Sequence, residues 1–287
     1  IPQQAMAQKQ SRMEKLLRYL NDNDADKWQK NREKLDDETK AYYAEDLSLM
    51  DVLNDLWNGQ SEQAATLYFG CYEKAAQNNF PSICEGEKIP LSQIRDKADQ
   101  SIINLLEASK DKIPFSRALL DSIHATEYPV DSAMLQRLQN IREVALLEGM
   151  LKAPTPIIYQ TYVKEYPNGK FIAQVNASEN VRLYQLVKTT PTPANFKAFF
   201  EDPEMQKYYQ DRGPRPYLAE VRTLYDDFLF QRIDSLKKEG NATAIRQIID
   251  DYKNTPYLAT GARTHLNDLE YLSEKADFEL LKPAIVN

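Results

Sequence analysis

The stretch DPEMQKYYQDRGPRPY (202–217) holds Tyr208, Tyr209, Arg212 and Arg215 between prolines and a glycine. Tyrosine and arginine supply wide contact area and forked hydrogen bonding at binding hot spots. The chemistry they suggest is recognition of a partner macromolecule. The same residues could instead form an ordered cover over the neighbouring helices, and the sequence leaves both uses open. Other residue types with chemical potential are scattered. Paired acids at Asp36-Asp37, Asp226-Asp227 and Asp250-Asp251 could serve a metal-bound diphosphate or a hydrolytic site. The first lacks the further Asp such a site wants, and all three fit solvated helix faces. His124 and His265 stand far apart, each without a ligand-spaced Cys or His. No Gly-rich phosphate loop and no G-x-S-x-G is present, so neither a cofactor nor a catalytic residue is expected.

Cys71 falls in a helical pattern and Cys84 in the Pro-flanked stretch after it. A turn near Asn78 could bring them together, and closing a loop of that length stabilises a fold by about 3 kcal/mol. Two unlinked buried thiols fit the sequence equally well. Asp121-Ser122-Ile123, Asp131-Ser132-Ala133 and Asp234-Ser235-Leu236 are similar to a short glycan-acceptor word of exported bacterial proteins.

The elements carrying these residues are helices. The 287 residues are 42% hydrophobic and 28% charged, a globular composition. Only 8 are glycine, too few for the tight turns of a hairpin-rich sheet. No apolar run reaches membrane-spanning length. The net charge of −7 is spread through interspersed acids and bases, which argues against nucleic acid as a partner. Ala5-Met6-Ala7 fits the end of a cleaved leader. On that basis 1–8 are expected to be a leader remnant or disordered tail, and the chain to be periplasmic or otherwise exported.

The organisation shows in repeated words. PYLA occurs at 216–219 and 256–259, PTP at 154–156 and 191–193, and Tyr-Pro at 128–129 and 166–167. Thr155, Thr192 and Asn241 are N-cap types placed just before Pro156, Pro193 and Ala242. An apolar triad at i, i+3, i+4 follows each: Tyr159, Tyr162, Val163; Phe196, Phe199, Phe200; Ile245, Ile248, Ile249. A second helix is then announced by Phe171, Tyr217 or Tyr257. The aromatic follows its cap by sixteen residues in the outer copies and by nine more in the middle one, which makes 202–217 an insertion. PYLA is expected to pack inward, its Ala admitting the preceding helix.

These spacings predict an all-α chain of antiparallel helix-pair repeats in a solenoid. The units lie near 114–151, 155–188, 192–238 and 241–273, within a repeat domain over 113–275. An N-terminal helical subdomain fills 9–112, with helices near 8–20, 61–78 and 91–109 and an irregular stretch from Pro81 to Pro90. Residues 276–287 form a C-terminal tail. YVKEYPNGKFIAQ (162–174) and IIDDYKNTPYLAT (248–260) resemble the helix–turn–helix words of tetratricopeptide-like proteins, envelope-located members from Gram-negative bacteria in particular. The resemblance implies a non-catalytic scaffold or adaptor that binds a protein, such as an outer-membrane or envelope complex, through stacked helix pairs. The alternatives are a helical glycan-binding module, stacking some of its 17 tyrosines on sugar rings, and an all-α enzyme using an acid pair.

Overall fold

A computed structural model describes residues 3–253 together with Tyr257, Glu274 and Lys275. Among them the regular structure is entirely helical. None of the described helices is long and apolar enough to cross a membrane. The chain divides into two compact units, Ile1–Glu148 and Gly149–Asn287.

The first unit opens with α1 (Gln3–Asn21), α2 (Ala25–Glu33), α3 (Asp37–Tyr42) and α4 (Ala44–Trp57). It continues through α5 (Glu62–Ala76), α6 (Phe80–Gly86), α7 (Leu91–Ala108) and α8 (Lys112–His124). The next helix, α9 (Ser132–Lys152), contains the boundary. Residues 3–8, expected as a tail, are the first turns of α1. That helix holds Met13, Leu16, Leu17 and Leu20 on one face, all without solvent exposure. The Asn-Asp-rich stretch 21–24 separates α1 from α2, and the Asp24 side chain accepts from Lys27 N–H at 3.1 Å to start α2.

The 81–90 stretch, expected to be irregular, is α6 over its first half. Pro81 sits in the first helical turn, where its missing N–H costs nothing, and Phe80, Ile83 and Cys84 are buried. The boundary expected at 112/113 falls inside the first unit, because α8 packs on α5 and α7. Tyr128 of the first Tyr-Pro word turns its ring into this core, edge-on to Tyr68, Phe69 and Tyr72. Its hydroxyl donates to Asp99 Oδ1 at 2.6 Å and lies 3.3 Å from the Tyr68 hydroxyl. Burial pushes the Asp99 carboxyl up to about 6.

The second unit holds α10 (Pro156–Glu165), α11 (Ile172–Thr189), α12 (Pro193–Phe200), α13 (Pro203–Tyr209), α14 (Leu218–Lys238) and α15 (Ala242–Lys253). The helix starts follow from their caps. Thr155 accepts from Ile158 N–H at 3.2 Å, Thr192 from Asn195 N–H at 3.2 Å, and Asn241 from Ala244 N–H at 3.1 Å. Thr155 (φ −132, ψ 151) and Thr192 (φ −129, ψ 156) share one backbone conformation. Each apolar triad turns inward, with Val163 and Ile248 half-buried and the rest buried. Helix α11 is the hub, packing against α10, α12, α13 and α14, and α14 packs in turn on α15.

The two PYLA copies differ: Tyr257 of the second is buried as expected, stacked on Phe200 at 4.2 Å, whereas the first copy departs from its expected role. Tyr217 begins α14 at φ 65 and is 40% exposed, its ring stacked on Tyr184 at 4.3 Å. Ala173 and Ala219 face solvent and space nothing. After Phe171 and Tyr217 inward packing begins four residues on, at Val175 and Val221, because these two aromatics sit before the helix rather than on its inner face.

The turn from α14 to α15 shows how a short sequence ends one helix and starts the next. Gly240 adopts φ +69 and donates to Lys237 O at 3.1 Å, while Asn241 N–H donates to Leu236 O at 3.0 Å. This pair of bonds is the Schellman ending, which favours glycine in the left-handed position. Gly240→Ala should cost about 1 kcal/mol and Asn241→Ala about the same through the lost cap. Urea unfolding measures both, and a neutral result at both positions would contradict this geometry.

Candidate functional site

The interior of the second unit is not uniformly apolar. Asn176, Glu179 and Asn180 lie at i, i+3, i+4 on α11 and are 2%, 1% and 1% exposed. A buried polar face must be bonded throughout or it destabilises the fold. Tyr159 Oη donates to Asn176 Oδ1 at 2.9 Å, tying α10 to α11. Glu179 takes a two-pronged bond from Arg182, at 2.6 and 2.7 Å. Asn180 donates through Nδ2 to Pro216 O at 3.1 Å and accepts at Oδ1 from Arg215 Nε at 2.6 Å. Burial, with the nearby Asp202 and Glu179 charges, holds the Tyr159 hydroxyl well above the usual phenol range.

Arg215 is the pivot. It is 9% exposed, its guanidinium lies 3.9 Å from the Phe199 ring centre, and its Nη1 donates to Phe199 O. Burial lowers its pKa to about 10, with Asp202 pulling it partly back. The group therefore stays cationic at neutral pH. Its Nη2 is buried without a hydrogen-bond partner.

The four residues singled out in 202–217 thus separate. The segment's first half is helical, its α13 capped by Asp202, which accepts from Met205 N–H at 2.8 Å, and anchored by the fully buried Met205. Arg215 is an interior strut. Tyr208 and Tyr209 are half-buried and meet edge to face at 5.0 Å. Arg212 is exposed, its guanidinium 4.5 Å from the Tyr208 ring centre and its Nη1 donating to Tyr208 O at 3.0 Å. The segment covers the unit with one side and presents Tyr208 and Arg212 with the other.

Between α13, the turn before α14 and α14 itself lies a cavity of about 690 Å³. Tyr209, Phe200 and Tyr257 line it together with Lys207, Arg215 and Arg222. Tyr257 is stacked on Phe200 at 4.2 Å. Sequence reasoning found Tyr209 and Arg215 but missed Lys207, Arg222 and Phe200. Arg222 follows Leu218 by one helical turn, which places both on the cavity side of α14.

The remaining candidates sit elsewhere. Asp36 caps α3, accepting from Thr39 N–H at 2.8 Å, and Asp37 is exposed. Asp227, Asp250 and Asp251 are exposed and Asp226 is half-buried. His124 ends α8 in solvent, and His265 lies outside the described residues. Two of the three Asp-Ser words, 121–123 and 234–236, are inside helices α8 and α14. No group of three or more His, Cys, Asp or Glu among the described residues could hold a metal ion.

The two cysteines are free thiols, so the proposed Cys71–Cys84 bridge is not formed here. Cys71 Sγ lies 3.7 Å from Ser48 Oγ, whereas Cys84 is buried in the core on α6. Burial, with Asp46 and Glu85 nearby, pushes the Cys84 thiol up to about 12. Iodoacetamide should therefore label Cys71 well before Cys84 in native protein, and both alike in urea. Mass spectrometry reads this directly, and equal native labelling would contradict the burial.

No protein-family model matches the chain, and neither does any curated protein or solved structure.

Proposed function

We propose that this chain is a non-catalytic adaptor of the cell envelope that holds another protein through stacked helix pairs. The observation that carries this is the recurrence in the second unit: capped starts at Thr155, Thr192 and Asn241, each followed by an inward triad. Such pairs bury their apolar faces by stacking and leave an outer surface for a partner. The resemblance of 162–174 and 248–260 to tetratricopeptide-like words supports the same reading, and Ala5-Met6-Ala7 supports export.

The glycan-binding alternative has less behind it. Among the described tyrosines only Tyr42 and Tyr217 are exposed, and Tyr217 is already stacked on Tyr184. Tyr68, Tyr72 and Tyr128 pack against one another.

The test is capture by the immobilised full chain from solubilised envelopes, compared with the Tyr208→Ala, Arg212→Ala double variant. A discrete protein captured by the parent and lost from the variant at unchanged melting temperature is expected. Saturable binding to an oligosaccharide array, with no protein captured, would overturn the adaptor reading.

A further inference from the structure

The cavity of the second unit has a one-sided chemistry. Lys207, Arg215 and Arg222 line it, and no Asp or Glu is among its described lining residues. Arg215 Nη2 and Arg222 Nε are both buried without a hydrogen-bond partner. A desolvated N–H of a cation left unbonded is costly. The rest of the Arg215 fork is occupied, Nε by Asn180 and Nη1 by Phe199 O, so the guanidinium is held in place with one donor to spare. Beside these cations the wall is aromatic, formed by Tyr209 and the stacked Phe200–Tyr257 pair. At about 690 Å³ the space is within the roughly 300–1,000 Å³ typical of ligand pockets.

We propose that this cavity binds a carboxylate joined to an apolar or aromatic body. Guanidinium groups match the two oxygens of a carboxylate geometrically, and a carboxylate seated beside Arg215 and Arg222 would supply acceptors for their spare donors. Phe200, Tyr209 and Tyr257 remove the apolar body from water. Lys207 adds a third positive charge that favours an acid over its neutral analogue. The carboxylate could belong to a free aryl acid or to the C-terminus of a peptide ending in an apolar residue. This goes beyond the adaptor reading, because the pocket lies inside one unit and needs no stacked neighbour.

The test is isothermal titration of the full chain with 4-phenylbutyrate and with a hexapeptide ending in Phe, free or amidated at its C-terminus. Saturable binding of the phenylbutyrate or of the free-acid peptide is expected, and which of them binds identifies the source. Neutral analogues, the amidated peptide and 4-phenylbutyramide, should bind at least about tenfold more weakly. Arg222→Gln should weaken the acid by a similar factor at unchanged melting temperature, since no bond of Arg222 to the fold is lost at Nε. Inorganic phosphate alone should compete poorly, having no apolar body. The proposal is overturned if no acid saturates by millimolar concentration. It is equally overturned if acids and amides bind alike, if phosphate competes as well as either acid, or if Arg222→Gln leaves binding unchanged.

Discussion

Replacing Arg215 by alanine is expected to destabilise the second unit by roughly 3–5 kcal/mol, the range for breaking a buried charged network by removing one member. The loss has identifiable parts. Asn180 Oδ1 and Phe199 O both lose their charged donor, and an unpaired buried acceptor costs about 1–3 kcal/mol. The Phe199 ring loses the guanidinium packed on it. Arg215→Lys should recover little, because an ammonium cannot donate to Asn180 and Phe199 O with the planar fork. Arg212→Ala, three residues away, removes an exposed side chain bonded to Tyr208 O and should shift stability by less than about 0.5 kcal/mol. Thermal unfolding of the three variants makes the comparison. Equal melting temperatures for Arg215→Ala and Arg212→Ala would refute the role of Arg215 as a strut.

The second large effect lies in the first unit and depends on pH. Asp46 on α4 has no solvent exposure, and neither of its oxygens has a hydrogen-bond partner. Burial pushes its carboxyl up to about 7; the Phe80 N–H counters part of the shift from outside hydrogen-bonding geometry. The folded state therefore retains a proton that the unfolded chain releases near pH 4. Between those values the unfolded state binds fewer protons, so stability falls as pH rises from about 4 to about 7 and is level above that. Below pH 4 both states are protonated and the penalty disappears.

Asp46→Asn removes the ionisable group and keeps its shape. The variant should match the parent near pH 4 and exceed it above pH 7. The ceiling on the gain is about 4 kcal/mol, from roughly three pK units at 1.36 kcal/mol each. Urea titrations at pH 4.5, 6 and 8 decide this, and parallel curves for parent and variant would show that Asp46 does not titrate with folding. Asp99 contributes in the same direction, so the parent's slope exceeds what Asp46 alone removes.

Local chemistry carried much of this structure in the sequence. Thr155, Thr192 and Asn241 were legible as caps because an N-cap acts within three residues of itself. The i, i+3, i+4 triads were legible because helical period alone puts three such residues on one face. The scarcity of glycine announced helix throughout. What depends on neighbours was not legible. Whether Arg215 contacts a partner or supports the fold rests on Asn180, 35 positions away in sequence. Composition ranks arginine the same in either role.

Tertiary structure also decided the fate of the paired signals. Two cysteines near one turn admit a bridge, but α6 places Cys84 in the core while Cys71 meets Ser48. PYLA occurs twice, yet Tyr217 of the first copy stacks on Tyr184 and its Ala219 faces water, whereas Tyr257 of the second copy is buried against Phe200. The cavity joins α13 and α14 with Phe200 and Tyr257, residues no local pattern links. The sequence by itself determined where helices begin and which faces turn inward, because those are short-range backbone and solvation effects. Only packing decided which polar side chains are interior and which cations share a cavity, because burial is a property of the elements that surround a residue.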